Sequence, residues 1–411
     1  MTATALAQEI DLDQCMSSTE LQPAYQPIVD LSSNEIVGFE ALARWPNLPG
    51  AVPDAVFAVA RRAGRIVELD WACRVAALKG ALEQGLGREH ILFVNVEPDA
   101  LGTPLPTGAE RTIAAAQREL RVMLELTERS LARQPAELLR LVSWARRNDF
   151  GIALDDVGAE PESLALLPFL APDVIKLDIS LVRDRPDPER AAIMAAVMAH
   201  SERTGATVLA EGVETIAHLD QGMALGATLG QGWLFGRPGP VRRPPSPRSP
   251  IVLARPDMDM AATPFSLVEG HPQLRIGRKA LLLDLSLHIE NQGLHLRPAP
   301  VVLSCFQTAE RFTTATQTRY TALATRCTLV GALGGRLAPG VHGAELSKTD
   351  PLVREWTVTV IGPHYAGALI ARDLGDQGRD HDRRFEFVVT HDRELVLAAA
   401  RSLMSRITVE V

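Results

Sequence analysis

Over the first 240 residues, short apolar runs rich in β-branched side chains alternate with longer segments whose apolar positions recur every three or four residues. The runs are Ala24–Leu31, Glu35–Trp45, Ile91–Pro98, Val122–Glu128, Gly151–Val157, Val174–Ile179, Thr207–Val213 and Leu229–Gly236. Each is short enough for a strand, whereas Pro135–Asn148 and Pro188–Gly205 carry helical periodicity. Such alternation predicts repeated strand–helix units around a parallel sheet, most simply a closed barrel. Only Ser32–Ser33–Asn34 and the adjoining Glu35 join the first two runs. That link is too short for a crossover, so those strands should pair antiparallel.

Periodicity stops at Arg237–Pro250, where Pro and Arg displace the apolar positions and favour an extended spacer. Beyond it, Leu329–Gly335, Arg354–Gly362 and Arg383–Asp392 read as strands. Thr316–Cys327 and Glu394–Arg406 read as helices. The chain therefore divides into an N-terminal extension (1–20), a barrel (21–240), a linker (241–263) and a smaller mixed α/β domain (264–411). A length of 411 residues exceeds one ordinary core and fits that division.

Composition narrows the chemistry. A net charge of -8 argues against a broad footprint for duplex nucleic acid. No secretory leader and no run of about 20 apolar residues is visible, which predicts a cytoplasmic protein without a membrane span. Cys15, Cys73, Cys305 and Cys327 lack metal-binding spacing and read as buried, reduced thiols, with redox sensing at Cys305 or Cys327 the alternative.

Polar residues of one kind recur at the ends of the first-half strands: Glu40, Asn95, Glu125, Asp155, Asp156, Lys176, Glu211 and Gln231. The C-terminal strand ends of such a barrel converge on one face. Five carboxylates gathered there repel one another, each close pair by roughly 4 kcal/mol at an effective dielectric of about 20. Cations must offset that repulsion. Oxygen donors with one amide and no Cys or His favour Mg²⁺ or Mn²⁺ over zinc. Adjacent aspartates suit two ions and in-line displacement at phosphorus. Lys176 could orient water or stabilise developing charge.

Glu40-Ala41-Leu42-Ala43-Arg44 resembles the signature of the EAL family of c-di-GMP phosphodiesterases. The resemblance extends through Gln26-Pro27-Ile28, Asn95, Glu125-Leu126-Thr127-Glu128, Asp155-Asp156, Lys176-Leu177-Asp178, Glu211-Gly212-Val213-Glu214-Thr215 and Gln231-Gly232-Trp233. It implies a TIM-like (β/α)8 barrel with an antiparallel first strand, two Mg²⁺ or Mn²⁺ ions, hydrolysis of c-di-GMP to linear pGpG, and a homodimer. It also implies that Glu40, Asn95, Glu125 and Asp155 bind one ion and that Asp155 with Asp156 binds the other. Lys176 and Glu211 would position or activate water with the support of Gln231. Gln26, Arg44 and Trp233 would meet the substrate, and Glu128 would brace the loop after Asp156. That loop reads Val157-Gly158-Ala159-Glu160-Pro161 where the family usually has Phe-Gly-Thr-Gly after the aspartates. The change motivates two alternatives: a c-di-GMP receptor that signals through protein contacts without turnover, and, with less support, an interaction protein without nucleotide function.

The segment from Phe265 to Ile407, including Asp350–Leu374, resembles the DICT sensory domain. A regulatory role and a signalling partner follow from that resemblance. Trp356, His364, Tyr365, Asp373 and His391 are its candidate cavity residues.

Overall fold

A computed structural model describes residues 10–100, 102–127, 134–159, 161–183, 187–241, 246, 261–335, 338–377 and 379–407. Most of the Pro/Arg-rich linker lies outside them, as does Glu128. The first half is a closed eight-stranded barrel: β1 (Gln22–Asp30), β2 (Ile36–Arg44), β3 (Ile91–Val96), β4 (Arg121–Thr127), β5 (Gly151–Val157), β6 (Val174–Leu177), β7 (Thr207–Ala210) and β8 (Leu229–Gln231). β1 runs antiparallel to both neighbours, pairing Gln26 with Glu40 on β2 and Ile28 with Gln231 on β8. The intervening strands pair in parallel. The architecture is thus the irregular α/β barrel expected from the strand pattern.

Local chemistry sets the connecting elements. In the hairpin between β1 and β2, the Asp30 carboxylate accepts the backbone N–H groups of Ser32 and Ser33, each at 2.9 Å. Asn34 there takes the left-handed conformation at φ 56°, which Asn tolerates. The helix Pro188–Thr204 opens on Asp187, whose side chain accepts the Arg190 N–H at 2.8 Å. Pro188 fits the first helical position, where no N–H is needed, and Gly205 closes the helix at φ 76°.

Side chains two apart on a strand share a face, and this alternation fills the barrel in layers. Ile28, Val37, Phe93, Met123, Ala153, Val174, Leu209 and Leu229 belong to one buried apolar cluster inside it. Two residues beyond Phe93, Met123, Ala153, Val174, Leu209 and Leu229 stand Asn95, Glu125, Asp155, Lys176, Glu211 and Gln231. An apolar plug therefore lies directly beneath a polar layer.

The second half is a seven-stranded sheet in the order β12-β11-β10-β13-β14-β15-β9. Its strands are β9 (Arg275–Arg278), β10 (Val301–Phe306), β11 (Leu329–Leu333), β12 (His342–Ala344), β13 (Glu355–Ile361), β14 (Ala366–Asp373) and β15 (Arg384–Thr390). The expected strands and the helices Thr314–Ala324 and Arg393–Met404 are present. The sheet also contains β10 and β14, and the long helix Lys279–His295 accompanies it. Residues of that helix and of Thr314–Ala324 share one apolar cluster with the sheet. Residues of Arg393–Met404 belong instead to the cluster that continues into the barrel's outer layer. Arg401 on that helix donates through Nη2 to the Pro168 carbonyl of the barrel at 2.7 Å.

Candidate active site

The polar layer converges on Lys176. Its side chain is only 1% exposed, and its Nζ lies 2.6 Å from Glu125, 2.7 Å from Glu211, 2.9 Å from Asp155 and 3.7 Å from Glu40. Five strands, β2, β4, β5, β6 and the end of β7, thus contribute to one charge cluster. Glu40 is held from two sides, by Asn95 Nδ2 at 3.1 Å and Gln231 Nε2 at 2.5 Å. Gln231 also donates to Gln26 Oε1 at 3.3 Å, and Gln26 donates to the Gly236 carbonyl at 3.2 Å.

Adjacent residues on a regular strand face opposite ways, yet Asp155 and Asp156 offer ligand atoms to the same small volume as Glu211, all within 4.8 Å of one another. The β5–β6 register shifts between Leu154 and Val157, and Asp156 adopts φ 56°. This bulge re-aims the second carboxylate. Gly158 follows at φ 106°, where a Cβ would collide with Leu181.

Burial and mutual repulsion reshape the acid–base properties. Burial pushes Glu125 well above the usual carboxylate range, and Glu40 and Asp155 add to the shift against the pull of Lys176. Burial, with Asp155 and Glu40, raises Glu211 to about 8 despite Lys176. For Lys176 burial disfavours the ammonium, but Asp155, Glu125, Glu211 and Glu40 together outweigh it and hold the group charged. Among the described residues, nothing hydrogen-bonds to the buried Glu125 Oε2 and Gln231 Oε1. A buried oxygen in that state carries a desolvation cost that a cation would relieve.

A cleft of about 680 Å³ borders the layer, lined among the site residues by Asn95, Asp156 and Arg44. Arg44 turns one guanidinium nitrogen to the Ala43 carbonyl at 2.8 Å. Trp233 stands 54% exposed with the Arg237 guanidinium 4.1 Å above its ring, outside the Lys176 cluster. The sequence did not single out Phe57, Arg61, Asp70, Arg74 or Glu97, which also line the cleft. Asp70 and Arg74 form a buried ion pair, Asp70 accepts the Glu97 N–H at 2.9 Å, and Arg74 lies 3.7 Å over the Trp71 ring. Their spacing of four on a helix was the available signal.

In the second domain, the candidate residues Trp356, Tyr365, Asp373 and His391 are engaged in packing and hydrogen bonding. Trp356 packs edge-on against Phe385, and Tyr365 against His391. His391 Nδ1 lies 2.9 Å from the Ala366 carbonyl, and Asp373 pairs with Arg383. His364 is exposed. Burial lifts the thiols of Cys305 and Cys327 to about 12, which leaves both protonated near neutrality.

A barrel with an antiparallel first strand and a carboxylate layer around one lysine defines a recognisable class, and the family comparison agrees. The EAL domain model matches residues 9–238, and the chain belongs to that family. The model of the sensory domain in diguanylate cyclases and two-component systems, DICT, matches residues 265–374. The probable cyclic di-GMP phosphodiesterase PdeG of Escherichia coli is 31% identical over 244 residues, covering 57% of this chain and 48% of that protein. The cyclic di-GMP phosphodiesterase RocR of Pseudomonas aeruginosa is 32% identical over 241 residues, covering 56% of this chain and 60% of that protein. The chain thus spans about half the length of these relatives. Among solved structures, BlrP1 of Klebsiella pneumoniae with manganese and cyclic di-GMP is 33% identical, covers 54% of this chain and 57% of that one, and superposes with a TM-score of 0.48. Among the described residues no helix is long and apolar enough to cross a membrane.

Proposed function

We propose that the barrel is a divalent-metal-dependent phosphodiesterase that opens c-di-GMP to linear pGpG, and that the C-terminal domain adjusts its activity in response to a signal. The observation that carries the reading is the layer of Glu40, Glu125, Asp155 and Glu211 around Lys176, with Asp156 at its rim. The donor set fits hard ions: it is oxygen-only, it contains the orphaned Glu125 Oε2, and its carboxylates outnumber the single ammonium. Glu40, Asn95, Glu125 and Asp155 would hold one Mg²⁺ or Mn²⁺, and Asp155 with Asp156 a second. Such ions would neutralise phosphoryl charge and acidify water.

The side chains then have distinct tasks. Glu211, a carboxylate once the ions are bound, accepts the proton of the attacking water as the water oxygen bonds to phosphorus. The P–O3′ bond breaks, and the departing 3′ oxygen takes up a proton to give the linear dinucleotide. Lys176 orients the water through its ammonium and keeps Glu211, Glu125 and Asp155 in register. Gln231 and Asn95 fix both oxygens of Glu40. Gln26, Arg44 and Trp233 contact substrate, with the Arg44 guanidinium suited to a phosphate.

Purified protein incubated with c-di-GMP and Mg²⁺ or Mn²⁺ should release pGpG, and Glu40→Ala should abolish it. The altered Val157–Pro161 loop favours a second reading, a receptor that binds c-di-GMP without opening it. Tight binding with no pGpG would establish that reading instead. Assembly as a homodimer belongs to the same proposal, with sedimentation equilibrium as its test.

A further inference from the structure

We propose that Arg61 reads a guanine base of the bound dinucleotide and sets the discrimination between guanine and adenine. The inference rests on the c-di-GMP reading and concerns the part of the cleft away from the carboxylate layer. A cleft of about 680 Å³ falls within the range of small-molecule sites. One wall bears Asn95 and Asp156, where a phosphodiester would react. The helix Pro53–Arg62 supplies another wall through Asp54, Phe57 and Arg61. A cyclic dinucleotide placed with one phosphate at the carboxylates must extend a base beyond them, and this helix offers the chemistry that a base requires.

Arg61 is poised for that contact. Its Nη2 donates to both oxygens of Glu97, at 2.9 and 2.8 Å, which anchors the side chain across the cleft. Among the described residues none accepts from its Nη1, and the side chain remains 50% exposed. The Glu97 main chain is held in place by its N–H bond to the buried Asp70 carboxylate. The result is an anchored guanidinium with an amino group still free to donate. Guanine presents two acceptors, O6 and N7, on one edge, whereas adenine replaces O6 with an amino donor that meets the guanidinium donor to donor. The Phe57 ring supplies an apolar surface beside Arg61, and the exposed Asp54 carboxylate can accept the N1–H and N2 amino donors of guanine. A bare surface ion pair would do none of this and would add little to stability.

The test compares wild type, Arg61→Ala and Arg61→Lys on c-di-GMP, c-di-AMP and bis(p-nitrophenyl) phosphate, a diester without a base. Binding of c-di-GMP and c-di-AMP is measured in parallel by calorimetry. For Arg61→Ala, the ratio of kcat/KM on c-di-GMP to that on the base-free diester should fall roughly 10- to 100-fold, through KM, and the preference over c-di-AMP should shrink with it. Arg61→Lys, which keeps a donor without the anchored fork, should recover part of the loss. An unchanged ratio, or a parallel loss on both substrates, overturns the assignment. If wild type binds c-di-GMP selectively without hydrolysing it, hydrolysis fails and the assignment is decided by the binding constants. If it neither binds nor hydrolyses, both readings fall.

Discussion

Glu211→Gln isolates the electrostatic cost built into the polar layer. In wild type without divalent ions, the Glu211 carboxyl titrates near 8 rather than near its ordinary 4.5. Between those values the folded protein keeps a proton that the unfolded chain has released. The folded state then binds more protons, so stability falls as pH rises, by about 1.4 kcal/mol per pH unit for one such group. Between pH 6 and 8 the loss is roughly 2–3 kcal/mol, a large share of the ~5–15 kcal/mol that holds a domain together. Glu125, raised in the same direction, adds to the slope. Glutamine keeps the shape and removes the titration, so the variant should overtake wild type as pH rises. The assay is urea denaturation in EDTA at pH 6, 7 and 8, followed by tryptophan fluorescence, since four of the five tryptophans lie in the barrel. Wild type should lose roughly 1 M in midpoint across that range, and the variant distinctly less. Adding Mg²⁺ should flatten the wild-type curve, because an ion favours the carboxylate over the acid. Equal pH slopes for the two proteins in EDTA would refute the reasoning.

Two further perturbations probe the scaffold. Gly232 sits at φ 154° with Val213 backbone atoms where a side chain would begin, so Gly232→Ala should cost about 1–3 kcal/mol in urea and reduce pGpG formation by displacing Gln231. Wild-type stability and turnover would contradict this. Arg401→Ala removes the charged donor to the Pro168 carbonyl between the two halves, and should lower stability by about 1.5–3 kcal/mol in the same assay; an unchanged midpoint would show that the contact contributes nothing.

The barrel was legible because its signals were local and repeated. Eight apolar runs each became a strand, and the short Ser32–Glu35 link forced the antiparallel start. Glu125, Asp155, Lys176 and Glu211 stood out because polar residues closed otherwise apolar runs, and period-2 alternation brought them to one lumen. The bulge that turns Asp156 toward Asp155 was not legible, since register depends on the neighbouring strand. Arg61 and Glu97, 36 positions apart, meet only through the fold. In the second domain β10 and β14 were harder to separate from their surroundings. Val301–Phe306 is buried throughout, and a short continuous apolar run does not distinguish strand from helix.

The last strand does not complete the barrel's hydrogen bonding. Tyr25, 1% exposed on β1, exchanges both backbone bonds with Gly239, eight residues past Gln231, at 2.6 and 3.1 Å. A fragment cut after Gln231 would contain every barrel strand and every proposed metal ligand, yet leave this seam unstitched. The shortest fragment with a closed barrel seam must therefore carry the chain through Gly239.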